Sequence, residues 1–256
     1  MTGYGWIVPT DVARTRSQYE QIARGADQAG YDLLYLPWAA DGDDPVVLAG
    51  VLARVTRRIR LVVELHPAAG SPVYLAKLFA SLQRASGGRI DLALRDRADG
   101  DFPRSSGDDV EDTAARAAEF ITVFNGVWNE HSVREDATAF DYDGEYFHVA
   151  AGGLTGILSG VRRPLLYRAR SSDADRGLFD AVISTATDFR AGDVVITNIS
   201  AGEPFVDTDA AIPAVRALIR GGATTVVFSA TDPFDLFRVA EAVLPELSTV
   251  LEGSIR

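Results

Sequence analysis

Ile59–Leu65 (IRLVVEL), residues 72–85 (PVYLAKLFASLQRA), Gly87–Gly88 and Ile90–Leu94 (IDLAL) follow one another in order, with six residues (66–71) between the first two. The first and last runs are short, continuous and rich in branched apolar residues, which marks strands buried on both faces. The stretch between them has helical spacing, Pro72 near its first turn and a glycine stop. Such a strand–helix–strand order points to a parallel sheet.

The same alternation extends in both directions. Upstream lie the apolar run Tyr4–Pro9 and a helix over 17–29, with Ser17 as its N-cap and Gly30 as its stop. The strand Asp32–Pro37 (DLLYLP) and a helix over Asp44–Val55 come next. Downstream, Asp109–Trp128 places Ala114, Ala118, Ile121, Phe124, Val127 and Trp128 on one helical face. Residues 139–150 (AFDYDGEYFHVA) alternate around Asp143–Gly144 and predict a hairpin. Four further short strands are expected at Pro164–Tyr167, Ala181–Ser184, Val194–Thr197 and Thr225–Ser229, with helices over Ile212–Ile219 and Phe234–Val243. Eight buried strands, mostly separated by helices, predict a single α/β domain over 1–256, a compact (β/α)8 TIM barrel. A doubly wound open sheet is the competing arrangement.

Composition restricts the function. The net charge of −11 argues against nucleic acid and anionic membranes, both of which favour a basic surface. There is no cysteine, so neither disulfides nor a thiolate metal site can form. The N-terminal stretch MTGYGWIVPT lacks the pattern of a secretory signal, and no apolar run has the length of a membrane span. A cytoplasmic protein is expected.

An ordered set of segments carries a resemblance. It comprises Trp6–Thr10 (WIVPT), Tyr19–Asp32 (YEQIARGADQAGYD), Asp44–Pro72, Leu75–Arg89 (LAKLFASLQRASGGR), Ala118–Trp128, Phe140–Val149 (FDYDGEYFHV), Pro164–Asp173 (PLLYRARSSD) and Gly221–Leu247. Together they resemble the luciferase-like flavin-dependent monooxygenases, in particular the alkanesulfonate-monooxygenase branch. The resemblance implies a (β/α)8 barrel, usually dimeric. It also implies reduced FMN supplied by a partner flavin reductase, molecular oxygen, and a small organic substrate. Some relatives use the deazaflavin F420 for hydride transfer instead. A homodimer is expected, with helix 72–85 as the pairing surface.

Several positions depart from the family pattern. The family's long insertion after strand seven, part of which becomes a mobile lid, is missing between Val194–Thr197 and Ile212. Strand one ends in Pro9, Thr10, Asp11 where that branch has Pro-Thr-His. Strand four ends in Leu94, Arg95, Asp96, and strand five in Ala169, Arg170, Ser171, Ser172 where relatives have Gly-Gly-Ser-Ser. Asn198 stands at the strand-seven histidine position.

The candidate site residues follow from these ends. Ser171 and Ser172 suit a phosphate at a helix start, with Arg168 or Arg170 adding charge; an ordinary cap with surface arginines is the alternative. Glu64 and His66 share one side of strand three, as a general-base pair or as a structural ion pair. Asp11 occupies a position used at the active site by relatives, and it equally suits a capping role. His148, in the hairpin, either bonds flavin or caps the strand. The acidic residues from Asp96 to Asp112 match no calcium-loop spacing, so no metal is expected. The expected function is that of a flavin-dependent monooxygenase-like oxidoreductase. The alternative is a non-catalytic flavin-binding barrel, or a pseudoenzyme subunit that partners an active relative.

Overall fold

A computed structural model describes residues 2–11, 14–39, 41–95, 113–133, 140–152, 160–169, 176–199 and 207–247. Its core is a closed barrel of eight parallel strands. In chain order these are β1 (Gly3–Ile7), β2 (Leu33–Leu36), β3 (Arg60–Leu65), β4 (Ile90–Arg95), β7 (Leu166–Ala169), β8 (Ala181–Thr185), β9 (Val194–Asn198) and β10 (Thr225–Ser229). Each pairs with the next, and β10 closes on β1 with Trp6 opposite Phe228. The open-sheet alternative is thereby overturned. A separate antiparallel hairpin of β5 (Phe140–Asp143) and β6 (His148–Gly152) lies between β4 and β7 in the chain.

The strands read as continuous apolar runs because both faces are covered. Outward residues such as Trp6, Leu34, Leu36, Leu61, Val63, Leu92 and Leu94 pack with the helices in one large core. Inward residues form a second, smaller core: Leu33, Tyr35, Val62, Ala93, Tyr167, Ile183, Val194 and Val227. Two layers separated by a closed sheet are what strand alternation produces in a barrel.

The helices are α1 (Arg16–Ala29), α2 (Pro45–Ala53), α3 (Pro72–Ser86), α4 (Thr113–Val133), α5 (Thr208–Arg220) and α6 (Leu236–Ala242). The cap of α1 is Thr15 rather than Ser17. Its side chain accepts from Gln18 N–H while the Gln18 side chain accepts from Thr15 N–H, a reciprocal pair that lets α1 start one residue earlier. Asp44 caps α2 by accepting from Val46 and Val47, both at 2.9 Å. Gly30 and Gly87 end α1 and α3 in the left-handed conformation that glycine adopts without strain.

Helices are less regular on the other side of the barrel. Among the described residues, the β7–β8 connection holds only a 3-10 turn at Arg176–Leu178. Ala186 to Asp193, joining β8 to β9, contains no helix. Phe189 of that connection packs against the main core in place of a helix. Ile199 to Asp207 alone joins β9 to α5, so this connection is too short for a long inserted lid.

The N-terminal end of the barrel is closed by charge pairing. Arg60 donates to both carboxylate oxygens of Asp91 at 2.7 and 2.5 Å, and Asp91 also accepts from Leu165 N–H at 2.8 Å. Arg89, just after the glycine stop of α3, donates to the carbonyls of Ala53, Thr56, Ile59 and Ser86. One guanidinium thus satisfies backbone acceptors of the α2–β3 and α3–β4 turns together, a task its several fixed donors suit.

The hairpin differs from expectation in its turn. The reversal runs over Gly144 to Phe147, with Gly144 N–H donating to Phe147 O at 3.0 Å. Glu119 of α4 accepts from the N–H groups of Glu145, Tyr146 and Phe147, and this anchor opens a longer loop than an Asp143–Gly144 turn would give. Phe147 meets Phe120 edge-on at 6.0 Å.

Candidate functional site at the C-terminal mouth

A parallel barrel places its loops of variable chemistry at the strand C-termini, so functional side chains are sought at the last inward positions there. In β2, β3 and β4 these are Tyr35, Glu64 and Arg95. The Tyr35 hydroxyl donates to Glu64 Oε2 at 2.7 Å, and Arg95 Nε donates to Glu64 Oε1. Glu64 is buried, with 1% of its surface exposed. A carboxylate taken from water to that degree is stable as a charge only when paired and bonded, and both oxygens are.

His66 lies one residue beyond β3 and is also buried. Ala68 N–H donates to its Nδ1 at 3.1 Å. An Nδ1 that accepts a backbone N–H carries no proton of its own, so the neutral ring holds its proton on Nε2. Nε2 of His66 is itself buried. The bonding partners of Glu64 are Tyr35 and Arg95 rather than His66.

Asp11 is exposed, while its neighbour Thr10 is fully buried. The Thr10 hydroxyl donates to Pro37 O at 2.6 Å and ties the loop after β1 to the loop after β2. Gly42 lies against the same point: a Cβ there would stand 2.0 Å from Thr10 O. At the end of strand one, then, the buried polar residue is Thr10.

His148 is held in the hairpin at 2.6 Å from Asp143 Oδ1, with both side chains largely exposed. It lies on the two-stranded hairpin rather than on a strand of the barrel. Arg170, Ser171 and Ser172 lie outside the described residues, as do Asp96 to Asp112. Among the described residues no group of three or more His, Asp or Glu is arranged to hold a metal ion.

The opposite side of the mouth is more open. Thr185 and Asn198 end β8 and β9 exposed, and Ser229 ends β10 half-buried, 3.4 Å from Thr197 O. The described mouth thus has a buried, charge-compensated half on β2–β4 and a solvated amide-and-hydroxyl half on β8–β10.

The sequence reading had not assigned Tyr35 and Arg95 to the site. The available signal was period two: Asp91, Ala93 and Arg95 face inward on β4, and an arginine at that position needs an inward carboxylate, which Glu64 provides. No helix among the described residues is long and apolar enough to cross a membrane.

Comparison with known proteins agrees with the architecture. Riboflavin lyase, solved with modified FMN and its substrate riboflavin, superposes with a TM-score of 0.77 at 14% identity, covering 97% of this chain and 92% of that one. The EDTA monooxygenase of Chelativorans sp. BNC1 gives 0.73 at 15% identity, over 97% and 94%. The coenzyme F420-dependent tetrahydromethanopterin reductase of Methanopyrus kandleri gives 0.73 at 13%, over 95% and 99%. At such identities these structures speak for the fold. The model of the family described as luciferase-like monooxygenase matches residues 4–223, most of the sequence. The chain is a member of the luciferase-like monooxygenase family.

Proposed function

We propose that this protein is a flavin-dependent oxidoreductase that binds reduced FMN across the C-terminal mouth of the barrel and oxygenates a small organic substrate. The observation that carries the reading is the donor set of that mouth in a chain of this family. Nε2–H of His66 is a fixed donor, and Asn198 and Ser229 add amide and hydroxyl groups. The polar edge of a flavin ring alternates carbonyls and N–H groups, and such donors and acceptors are its complement, so the residues present fit the group. Ser171, Ser172 and Arg170 are the proposed phosphate ligands. The neighbours' cofactors support a flavin-type group: modified FMN in the riboflavin lyase, F420 in the reductase.

Reduced flavin supplies the electrons for oxygen activation. The chain's own part is to bind, orient and exclude water. Tyr35 and Arg95 hold Glu64 as a compensated anion, which keeps the β2–β4 half of the mouth rigid. His66 donates from Nε2. A partner reductase delivers the cofactor, and the active species is a homodimer paired through α3, where Tyr74 is 62% exposed.

A second reading has its own observation. Both oxygens of Glu64 and Nδ1 of His66 already act as acceptors, so neither is set to take a proton from a substrate. A flavin-binding barrel without turnover, or a subunit supporting an active relative, needs no such base.

Anaerobic titration with reduced FMN, oxidised FMN and F420, followed by admission of oxygen with candidate substrates, separates these readings. Saturable binding of reduced FMN with oxygen-dependent product supports the first. Binding without product supports the second. Preferential binding of F420 makes the reaction a hydride transfer, and no binding of any of the three removes both readings.

A further inference from the structure

Charge is divided between the two ends of the barrel. At the N-terminal end, exposed arginines stand in the turns that lead into five of the eight strands. They are Arg57 and Arg58 before β3, Arg84 in the last turn of α3 before β4, Arg162 before β7, Arg190 before β9 and Arg220 at the end of α5 before β10. The last two turns are bonded to each other, Gly192 N–H donating to Gly222 O at 2.9 Å. At the mouth the exposed charges are mainly of the other sign. Asp43 and Asp44 precede α2, Asp207 and Asp209 open α5, and Asp232 follows β10.

Helix dipoles favour cations at helix C-termini, but the effect fades beyond the last turn. It accounts for Arg84 and Arg220. It does not account for Arg57, Arg58, Arg162 and Arg190, which lie outside the helices. The acids nearby are largely engaged elsewhere. Asp27 accepts from three backbone N–H groups, and Asp32 accepts from Tyr4 N–H at 2.8 Å. Asp180 accepts from Arg163 and from Leu166 N–H, both at 2.8 Å, and Glu246 lies 3.6 Å from Arg216. Arg60 and Arg89 are held by Asp91 and by backbone carbonyls, so the exposed arginines form a separate outer ring.

Shape decides which anion fits. Each arginine sits a few residues before a strand begins, so the ring shares one level at the end of a closed barrel. A small anion reaches two or three of these side chains, whereas a plane of negative charge reaches them all. Between Arg24, Arg57 and Arg58 the rim carries a concavity of about 640 Å³, wide enough for a phosphate headgroup. The net charge of −11 is an average over the whole molecule. A charged surface is felt over only about 8 Å at physiological salt. The acidic mouth lies a strand length away, roughly 17–20 Å, and is screened from it.

We infer that this rim docks the protein on an anionic lipid bilayer, with an acidic headgroup between Arg24, Arg57 and Arg58 and the mouth turned towards solvent. Leu178, 41% exposed just before β8, is the large apolar side chain that the described rim turns present, so the attraction is chiefly electrostatic and reversible.

Co-sedimentation of the whole protein with vesicles tests this, using phosphatidylcholine alone or with about one third phosphatidylserine. The protein binds the serine-containing vesicles at about 0.05 M salt, leaves them at about 0.5 M, and does not bind the plain ones. Arg57→Gln and Arg162→Gln, both at exposed positions where the fold is retained, each weaken binding about fivefold, and together about twentyfold or more. Lys77→Gln removes the same charge from the middle of α3 and leaves binding within about twofold, which distinguishes the rim from overall charge. Absence of serine-dependent binding at low salt, equal weakening by Lys77→Gln and Arg57→Gln, or tighter binding to a short duplex DNA than to the vesicles overturns the assignment.

Discussion

The Tyr35 hydroxyl and the Glu64 carboxylate meet at 2.7 Å inside the barrel, from the adjacent strands β2 and β3. With Arg95 on the other carboxylate oxygen, Glu64 joins three successive strands at their C-terminal ends. Glu64→Ala removes the buried acceptor that Tyr35 and Arg95 share, at a cost of about 3–5 kcal/mol. Tyr35→Phe loses one bond and costs about 1–2 kcal/mol. Equilibrium unfolding in urea measures both, and equal losses for the two variants would contradict the central place given to the carboxylate.

Asp27 predicts a pH dependence. Burial alone would raise its carboxyl. The N–H groups of Ile59, Arg57 and Arg58, with the Arg58 guanidinium, outweigh burial and hold it below its ordinary value. A carboxyl with a lowered folded pKa contributes stability above its unfolded value of 3.8, and that contribution is lost as pH falls through the lower folded value. Asp27→Asn therefore destabilises the protein at pH 7 by about 1–3 kcal/mol. The gap between wild type and variant narrows below the unfolded value. Parallel denaturation at neutral and acid pH checks this; a gap that widens in acid has the wrong sign.

Gly42→Ala puts a methyl 2.0 Å from the backbone oxygen of Thr10. Backbone cannot swing aside as a side chain can, so the loop after β2 must shift, at about 1–3 kcal/mol. The Thr10–Pro37 bond at 2.6 Å loosens with it. Thermal unfolding and amide exchange at residues 37–44 report the change, and unaltered exchange there would refute it.

Homodimerisation through α3 predicts that Tyr74→Glu lowers the mass measured by light scattering at micromolar protein from two chains to one. The side chain is 62% exposed in the single chain, so the substitution leaves the fold intact. A wild type already monomeric under those conditions removes the dimer from the account.

The barrel was legible because its strands carry the signature of parallel pairing. Leu61–Val63 (LVV) in β3 and LLYL in β2 are apolar at consecutive positions, as strands covered on both faces must be. Helix ends were legible where one residue decides them, at Gly30 and Gly87. The start of α1 was not, because the cap depends on a reciprocal pair, Thr15 with Gln18, and Ser17 resembles a cap when read alone. No helix was read between Ala181–Ser184 and Val194–Thr197 and the structure has none there, Phe189 packing against the core instead. In the site, the pairing of Glu64 with Arg95 depends on two strands adjacent in space but well separated in the chain. Spacing along one strand set Glu64 beside His66 and could not show that Arg95 takes the carboxylate.

The most direct measurement is a crystal structure of the protein with FMN. The account predicts density for the ring across the strand C-termini, within hydrogen-bond reach of His66 Nε2, with the Tyr35–Glu64–Arg95 group unchanged beneath it. Density for flavin elsewhere on the molecule, or none at saturating FMN, would contradict it.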